Sequence, residues 1–153
     1  KHFNLICDCL EGHGSYYGAM AAHAGMWRAA EDTADDLLAR LAVVPMVLEA
    51  RGLDVTPSMI KLFQQYNDQA AIDALNIIYS EEVAHVAFGS KWFHFLCGRL
   101  NIDPKPRFHF LVRKYFHGTL KPPFNEAKRA EAGIAPDFYW PLTDEIPQPP
   151  AMR

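Results

Sequence analysis

A chain of 153 residues, half of them hydrophobic and 22% charged, is sized for one domain with a substantial core and composed like a globular protein. The formal net charge of −3 argues against a general nucleic-acid or membrane-surface binder, and no run of ~18 apolar residues offers a membrane-spanning helix. Of the three cysteines, Cys7 and Cys9 sit too close for an ordinary disulfide. Free thiols in a reducing, cytoplasmic setting are therefore expected.

In chain order, "KHFNLICDCLEG" reads as a helix over 1–11 with His2, Ile6, Cys9 and Leu10 on one side. It lacks an N-cap residue, an acidic first turn and an initiator methionine, so upstream sequence is expected to belong with it. A Gly-rich connection, "GHGSYYGAMAAHAGMW", follows and is long enough to be a crossover or packed loop. A long helix is predicted from Ala29 to Arg51, stopped by Gly52. Thr56 and Pro57 then start a short helix to about Tyr66. A second long helix covers Gln69 to Leu100, another lies in "DPKPRFHFLVRKYF", and a short one in "FNEAKRAEAG" ends at Gly133. Residues 134–153 are Pro-rich and expected to be irregular, pinned by Phe138, Tyr139 and Trp140. No strand alternation or internal repeat is seen, so the predicted class is all-α, one domain over 1–153.

Steps of three and four keep helical side chains on one face. On the second long helix Ala71, Leu75, Ile78, Glu82, His85, Gly89, Trp92 and Leu96 trace an apolar seam that contains a carboxylate and an imidazole. Asp73, Asn76, Ser80 and His94 fall opposite. On the first long helix Leu38, Ala42, Pro45 and Glu49 share a face, Arg40 and Arg51 project away, and Pro45 should bend the rod just before Glu49. Glu81 belongs at the rim. His13, His23, His94, His109 and His117 read as surface, loop or supporting residues, with His23 near a pocket mouth.

A Glu–His pair three residues apart contributes only about 0.2–0.5 kcal/mol when exposed, whereas burying an uncompensated ion costs several kcal/mol. Several helices aiming carboxylates and imidazoles inward therefore point to a cation. Hard oxygen donors mixed with imidazole suit iron or manganese, and no thiolate cluster for zinc is present.

"VLEARGLDVTP" and "EEVAHVAFGSKWF", with "AHAGMW" and "LKPPFNEAKRAEAG", resemble an uncharacterised, mainly bacterial ferritin-like family, over essentially the whole chain. A more distant similarity is to the tRNA hydroxylases of that superfamily. The resemblance implies a four-helix bundle with one Glu on each of two helices and Glu-x-x-His on the other two. It implies two iron ions, with manganese as the substitute, held by His2, Glu49, Glu82 and His85. Set against that plan the chain is N-terminally incomplete, a half-bundle lacking two carboxylate ligands. Upstream helices, a second copy in a homo-oligomer, or another chain would complete it. The implied activity is that of a di-iron oxidase or oxygenase of unknown substrate. Two rivals are a non-catalytic helical interaction module and a tRNA-directed hydroxylase, the latter resting only on the basic–aromatic stretch 105–116.

Overall fold

The computed structural model describes residues 1–143. Helix α1 (His2–Gly12) is followed by α2 (Gly25–Asp32), α3 (Leu37–Val43), a π-helical turn (Val44–Glu49) and α4 (Ala50–Gln65). Next come α5 (Gln69–Leu100), α6 (Pro104–Tyr115), α7 (Glu126–Glu131), α8 (Pro136–Tyr139) and a 3₁₀ turn (Trp140–Leu142). The described residues are all-helical apart from a single bridge between Leu120 and Thr143. No helix among them is long and apolar enough to cross a membrane. Cys7, Cys9 and Cys97 are free thiols.

The helix predicted over 29–51 differs in two ways. It starts as two pieces, because Asp36 breaks in with extended backbone and caps α3, its carboxylate accepting from Ala39 N at 3.0 Å. Arg40 then ties α2 to α3, donating to Thr33 Oγ1 at 2.7 Å and to the Ala30 carbonyl. At its far end the rod does not stop at Gly52, nor does a new helix begin at Pro57. Residues 37–65 run on without a break, and both Gly52 and Pro57 lie inside α4.

Each interior proline is accommodated by a distinct device. Pro45 removes a backbone donor and crowds the preceding turn, and the chain widens there into the π turn. The proline ring then lies against α5 at Gly89, where an added Cβ would sit 2.4 Å from the Pro45 ring carbons. Pro57 cannot donate to the Leu53 carbonyl four residues back. Asn125 does so instead, its Nδ2 donating to Leu53 O at 3.2 Å and to Tyr79 Oη at 2.8 Å, while its Oδ1 caps α7.

Asn125 also lies beside a buried ion pair. Asp54 accepts from Asn125 N at 2.9 Å and takes Arg129 in a two-point contact, Nε–Oδ1 at 2.9 Å and Nη2–Oδ2 at 2.7 Å. The Arg129 guanidinium is clamped between the rings of Phe124 and Tyr139, 4.8 and 4.7 Å from their centroids. This node joins α4, α7 and the C-terminal segment. The expectation of an irregular 134–153 therefore fails over 136–142, where α8 and the 3₁₀ turn bury Phe138, Tyr139 and Leu142, with Ile134 buried just ahead of them. The pinning by Phe138 and Tyr139 holds. Residues 144–153, the rest of that expectation, lie outside the described residues.

The seam on α5 holds in its first half and drifts in its second. Ala71, Leu75 and Gly89 are buried, but Trp92 is 42% exposed, and the core line passes instead through Val86, Ser90, Phe93 and Cys97. His94, expected outside, is half-buried against Phe138 and donates from Nδ1 to Ser90 O at 2.8 Å.

Two glycines of the same helix make opposite predictions. Gly89→Ala should destabilise by about 1–3 kcal/mol, because the Pro45 ring cannot yield. Gly98→Ala, with nothing within 4 Å of the new methyl, should stabilise by roughly 0.5–1 kcal/mol. Urea denaturation of both variants reads the contrast. At the ion pair, Asp54→Asn should cost about 3–5 kcal/mol by stranding the buried Arg129 charge, measured as a lowered urea midpoint at unchanged slope.

Candidate metal centre

Glu82 and His85 are one turn apart on α5, and α1 lies across them. The ligand-type atoms of His2, Glu82 and His85 all fall within 4.8 Å of one another. Both imidazoles turn Nδ1 toward the same atom, Glu82 Oε2, at 3.8 Å from His2 and 3.5 Å from His85. Their ring centroids are 5.3 Å apart. The Glu82 side chain is 13% exposed and its Cγ lies over Gly52 of α4, at ordinary contact distance from where a Cβ would stand. Gly52 thus serves as the surface on which Glu82 rests.

His85 departs from the expected interior position. Its side chain is 52% exposed, so it stands at the mouth of the cluster and not on its floor. The site is a cleft with a covered carboxylate and one open side.

Glu81, expected at the rim, is there and has a task. It accepts from His2 Nε2 at 2.9 Å and from the Lys1 ammonium. An ionised carboxylate can only accept, so His2 Nε2 carries a proton, and Nδ1 is the ring atom that faces Glu82. The Lys1 contact first, and the His2 contact second, hold the Glu81 carboxyl below the ordinary carboxylate range. Its role follows from the adjacent "EE" only once α1 is placed, which the sequence alone did not do.

Glu49 closes the π turn on the neighbouring rod and is half-buried. Its oxygens do not join the tight group of three. Electrically it belongs with them: burial first, then repulsion from Glu82, pushes its carboxyl above the ordinary value, while His85 and His2 oppose the rise. Two imidazoles and two carboxylates from three helical segments therefore share one local field.

The other histidines each have a local partner. His13 meets Asp68 Oδ2 at 2.8 Å, and His117 meets Asp32 Oδ2 at 3.1 Å. His23 accepts from Gly25 N at 3.0 Å, at the start of α2. His109 donates to the carbonyls of Asp137 and Phe138 at 3.0 and 3.1 Å, and burial lowers its pKa. In the basic stretch 105–116, Lys105 pairs with Asp137, Arg107 with Asp36 at 3.5 Å, and Arg113 donates to Pro141 O at 3.3 Å.

The fold and cleft together define a class: an all-helical protein that gathers imidazole and carboxylate side chains from neighbouring helices at one point. A family model described as "Protein of unknown function (DUF455)" matches residues 1–140, and the chain belongs to that family. It is 41% identical over 133 residues to an uncharacterized protein of Haemophilus influenzae, an alignment covering 87% of this chain and 46% of that relative. The chain thus spans less than half the length of the relative it matches. No solved structure matches it.

Burial and the Glu82 charge both disfavour ionised Glu49, so folding of the metal-free protein is opposed once that carboxyl ionises. Stability should fall as pH rises from about the ordinary value of 4.5 through the raised one. Glu49→Gln should accordingly raise the thermal midpoint of chelator-treated protein at neutral pH, with the difference vanishing well below pH 4.5. Glu81 acts with the opposite sign, its stabilisation fading as pH drops through its depressed pKa. Melting curves against pH for the two carboxamide variants check both.

Proposed function

We propose that this chain carries one half of a di-iron, or mixed iron–manganese, carboxylate centre in a ferritin-like helical protein of oxidase or oxygenase type, its substrate unknown. The observation that carries the reading is the convergence of His2 and His85, each turning Nδ1 to within 3.8 Å of Glu82 Oε2, beside a Glu49 carboxyl whose ionisation is disfavoured. The donor set fits the metals: two carboxylates supply hard oxygen, two imidazoles supply nitrogen, and no thiolate lies in the group. His2, Glu82 and His85 would hold a cation directly, and Glu49 would lean in from the adjacent rod. A pair of ferrous ions so held would supply reduction of dioxygen, the chemistry the protein scaffold itself lacks.

The chain's own residues do the rest. Glu81, anchored by Lys1, fixes the tautomer and plane of His2, the usual support for a ligating imidazole. Gly52 lets Glu82 lie flat against α4. His85 marks the open side, and the same face of α5 continues through Phe88, Trp92 and Phe95, all exposed. An apolar face of that kind calls for a cover. Upstream helices, a second copy of the chain in a homo-oligomer, or another chain would supply both the cover and the remaining ligands. The free thiols fit a cytoplasmic setting.

A non-catalytic helical module is the rival, and one comparison separates the two. Protein produced with iron and manganese available should carry transition metal by elemental analysis, and Glu82→Gln with His85→Gln should lose it and lower the melting temperature of the loaded form. Metal-free protein whose Glu82→Leu, His85→Leu double variant is equally or more stable, and whose parent never takes up metal, would instead fit the helical module.

A further inference from the structure

Helix α5 turns a ridge of aromatic side chains to solvent. Phe88, Trp92 and Phe95 are 63%, 42% and 51% exposed. Their rings pack on one another, with centroids 6.0 Å apart from Phe88 to Trp92 and 5.4 Å from Trp92 to Phe95. Toward the start of the helix the same face becomes a trough. Steps of three and four lead back from Phe88 through Ala84, Ser80 and Ile77 to Asp73. Ala84, Ser80 and Asp73 are exposed, and Ile77 is half-buried.

Charge on α5 is divided in the same way. From Gln69 to Ala84 the formal charges are Asp73, Glu81 and Glu82, and from His85 to Leu100 they are Lys91 and Arg99. Lys91 and Arg99 are exposed, and neither has an ion-pair partner among the described residues. Asp73 accepts from Gln69 Nε2 at 2.7 Å and also meets no cation among them.

We propose that this face binds a second copy of the chain, α5 against α5 and antiparallel, with the two-fold axis at the level of Val86. In that register Phe88 lies over the partner's Ala84, Trp92 over the partner's Ser80 and Phe95 over the partner's Ile77. Each ridge thus enters the other's trough, the way helices pack at close approach. Arg99 reaches the partner's Asp73 and Lys91 the partner's Glu81, and the symmetry makes every contact twice. A parallel pair would set Asp73 against Asp73 and Arg99 against Arg99, so charge selects the antiparallel form. A pattern complementary to its own reverse specifies a copy of itself, which an unrelated apolar surface does not match. From Asp73 to Arg99 the face is about 39 Å long. A strip of that length and roughly one helix wide is at the small end of specific interfaces, so micromolar affinity is expected. His85 stands next to the two-fold, so pairing also covers the open side of the cluster. The inference rests on the outer face of α5 and holds with or without a metal.

Sedimentation equilibrium of the whole, chelator-treated chain from about 1 to 300 µM tests this. The mass should rise from one chain to two, with a midpoint in the micromolar range. Ala84→Phe fills the trough under Phe88, and Arg99→Asp sets two acids opposite each other. Each should raise the dissociation constant at least about tenfold. Joining Asp73→Arg to Arg99→Asp should return it to the parent value, because only an antiparallel copy brings those two positions together. All three sites are exposed, so the helical circular-dichroism signal should not change. A chain still monomeric at about 300 µM overturns the proposal and leaves the face to a different chain. A dimer indifferent to Ala84→Phe forms on another surface and overturns it too, and a charge swap that fails to recover overturns the antiparallel register. The parent's concentration dependence decides even if a variant fails to fold. Metal content is not read here, so a negative result leaves the metal reading standing.

Discussion

The structure depends on a continuous helical rod, 37–65, that carries two prolines in its interior. A proline inside a helix typically costs ~3 kcal/mol or more through a lost donor and a clash, and a rod with two of them needs compensation at both. At Pro45 the compensation is geometric: a widened turn, and a glycine on α5 that lets the ring seat. At Pro57 it is chemical, the Asn125 amide replacing the missing backbone donor. Each device also builds a site. The π turn ends at Glu49 and brings it into the field of Glu82, and Asn125 brings α7 and its Arg129 down onto Asp54.

The two charged sites on the rod solve the burial of ions differently. Asp54 and Arg129 neutralise each other in good geometry, with the aspartate taking a further backbone donor, which is the arrangement that makes a buried pair tolerable. At the cluster, Glu49 and Glu82 repel, and the imidazoles offset this only to the extent that they are protonated. Nothing among the described residues gives that cluster a permanent cation of its own, since Lys1 is spent on Glu81. A carboxylate pair left in mutual repulsion is a poor structural device, and a good one for holding something positive.

How much of this was legible in the sequence follows from helical geometry. The all-helical class, the long α5, and the meeting of His2, Glu82 and His85 follow from three-and-four spacing and from the motif resemblance. The errors have physical causes. A seam drawn at strict steps of four and three has a period of 3.5, and a straight α-helix drifts from it by about 20° per heptad. Over the three heptads from Ala71 to Trp92 that is roughly 60°, enough to move Trp92 and His85 toward solvent and Phe93 and Val86 into the core. Gly52 and Pro57 look like punctuation by local propensity, yet tertiary contacts override both: Glu82 rests on the first, and Asn125 repairs the second. Arg129 sat unremarked in "NEAKRAEAG" because a lone arginine in a short polar helix ordinarily faces water. Its burial is set by Asp54, seventy-five residues away.

The open side of the cluster and an exposed apolar face coincide in space. The cleft is open at His85, and beyond His85 the same face of α5 runs on through Phe88, Trp92 and Phe95 to solvent. With α1 bearing no buried residue at all, the first helix and the outer face of α5 form one incompletely covered surface, and the His2–Glu82–His85 cluster lies between them. A single further layer of helix laid across that surface would exclude water from His85 and bury the aromatic rings together. Removing the water would also strengthen every charge interaction in the cleft, because the local dielectric falls. Whatever satisfies the apolar face therefore also sets the electrostatic field shared by Glu49, Glu82, His2 and His85.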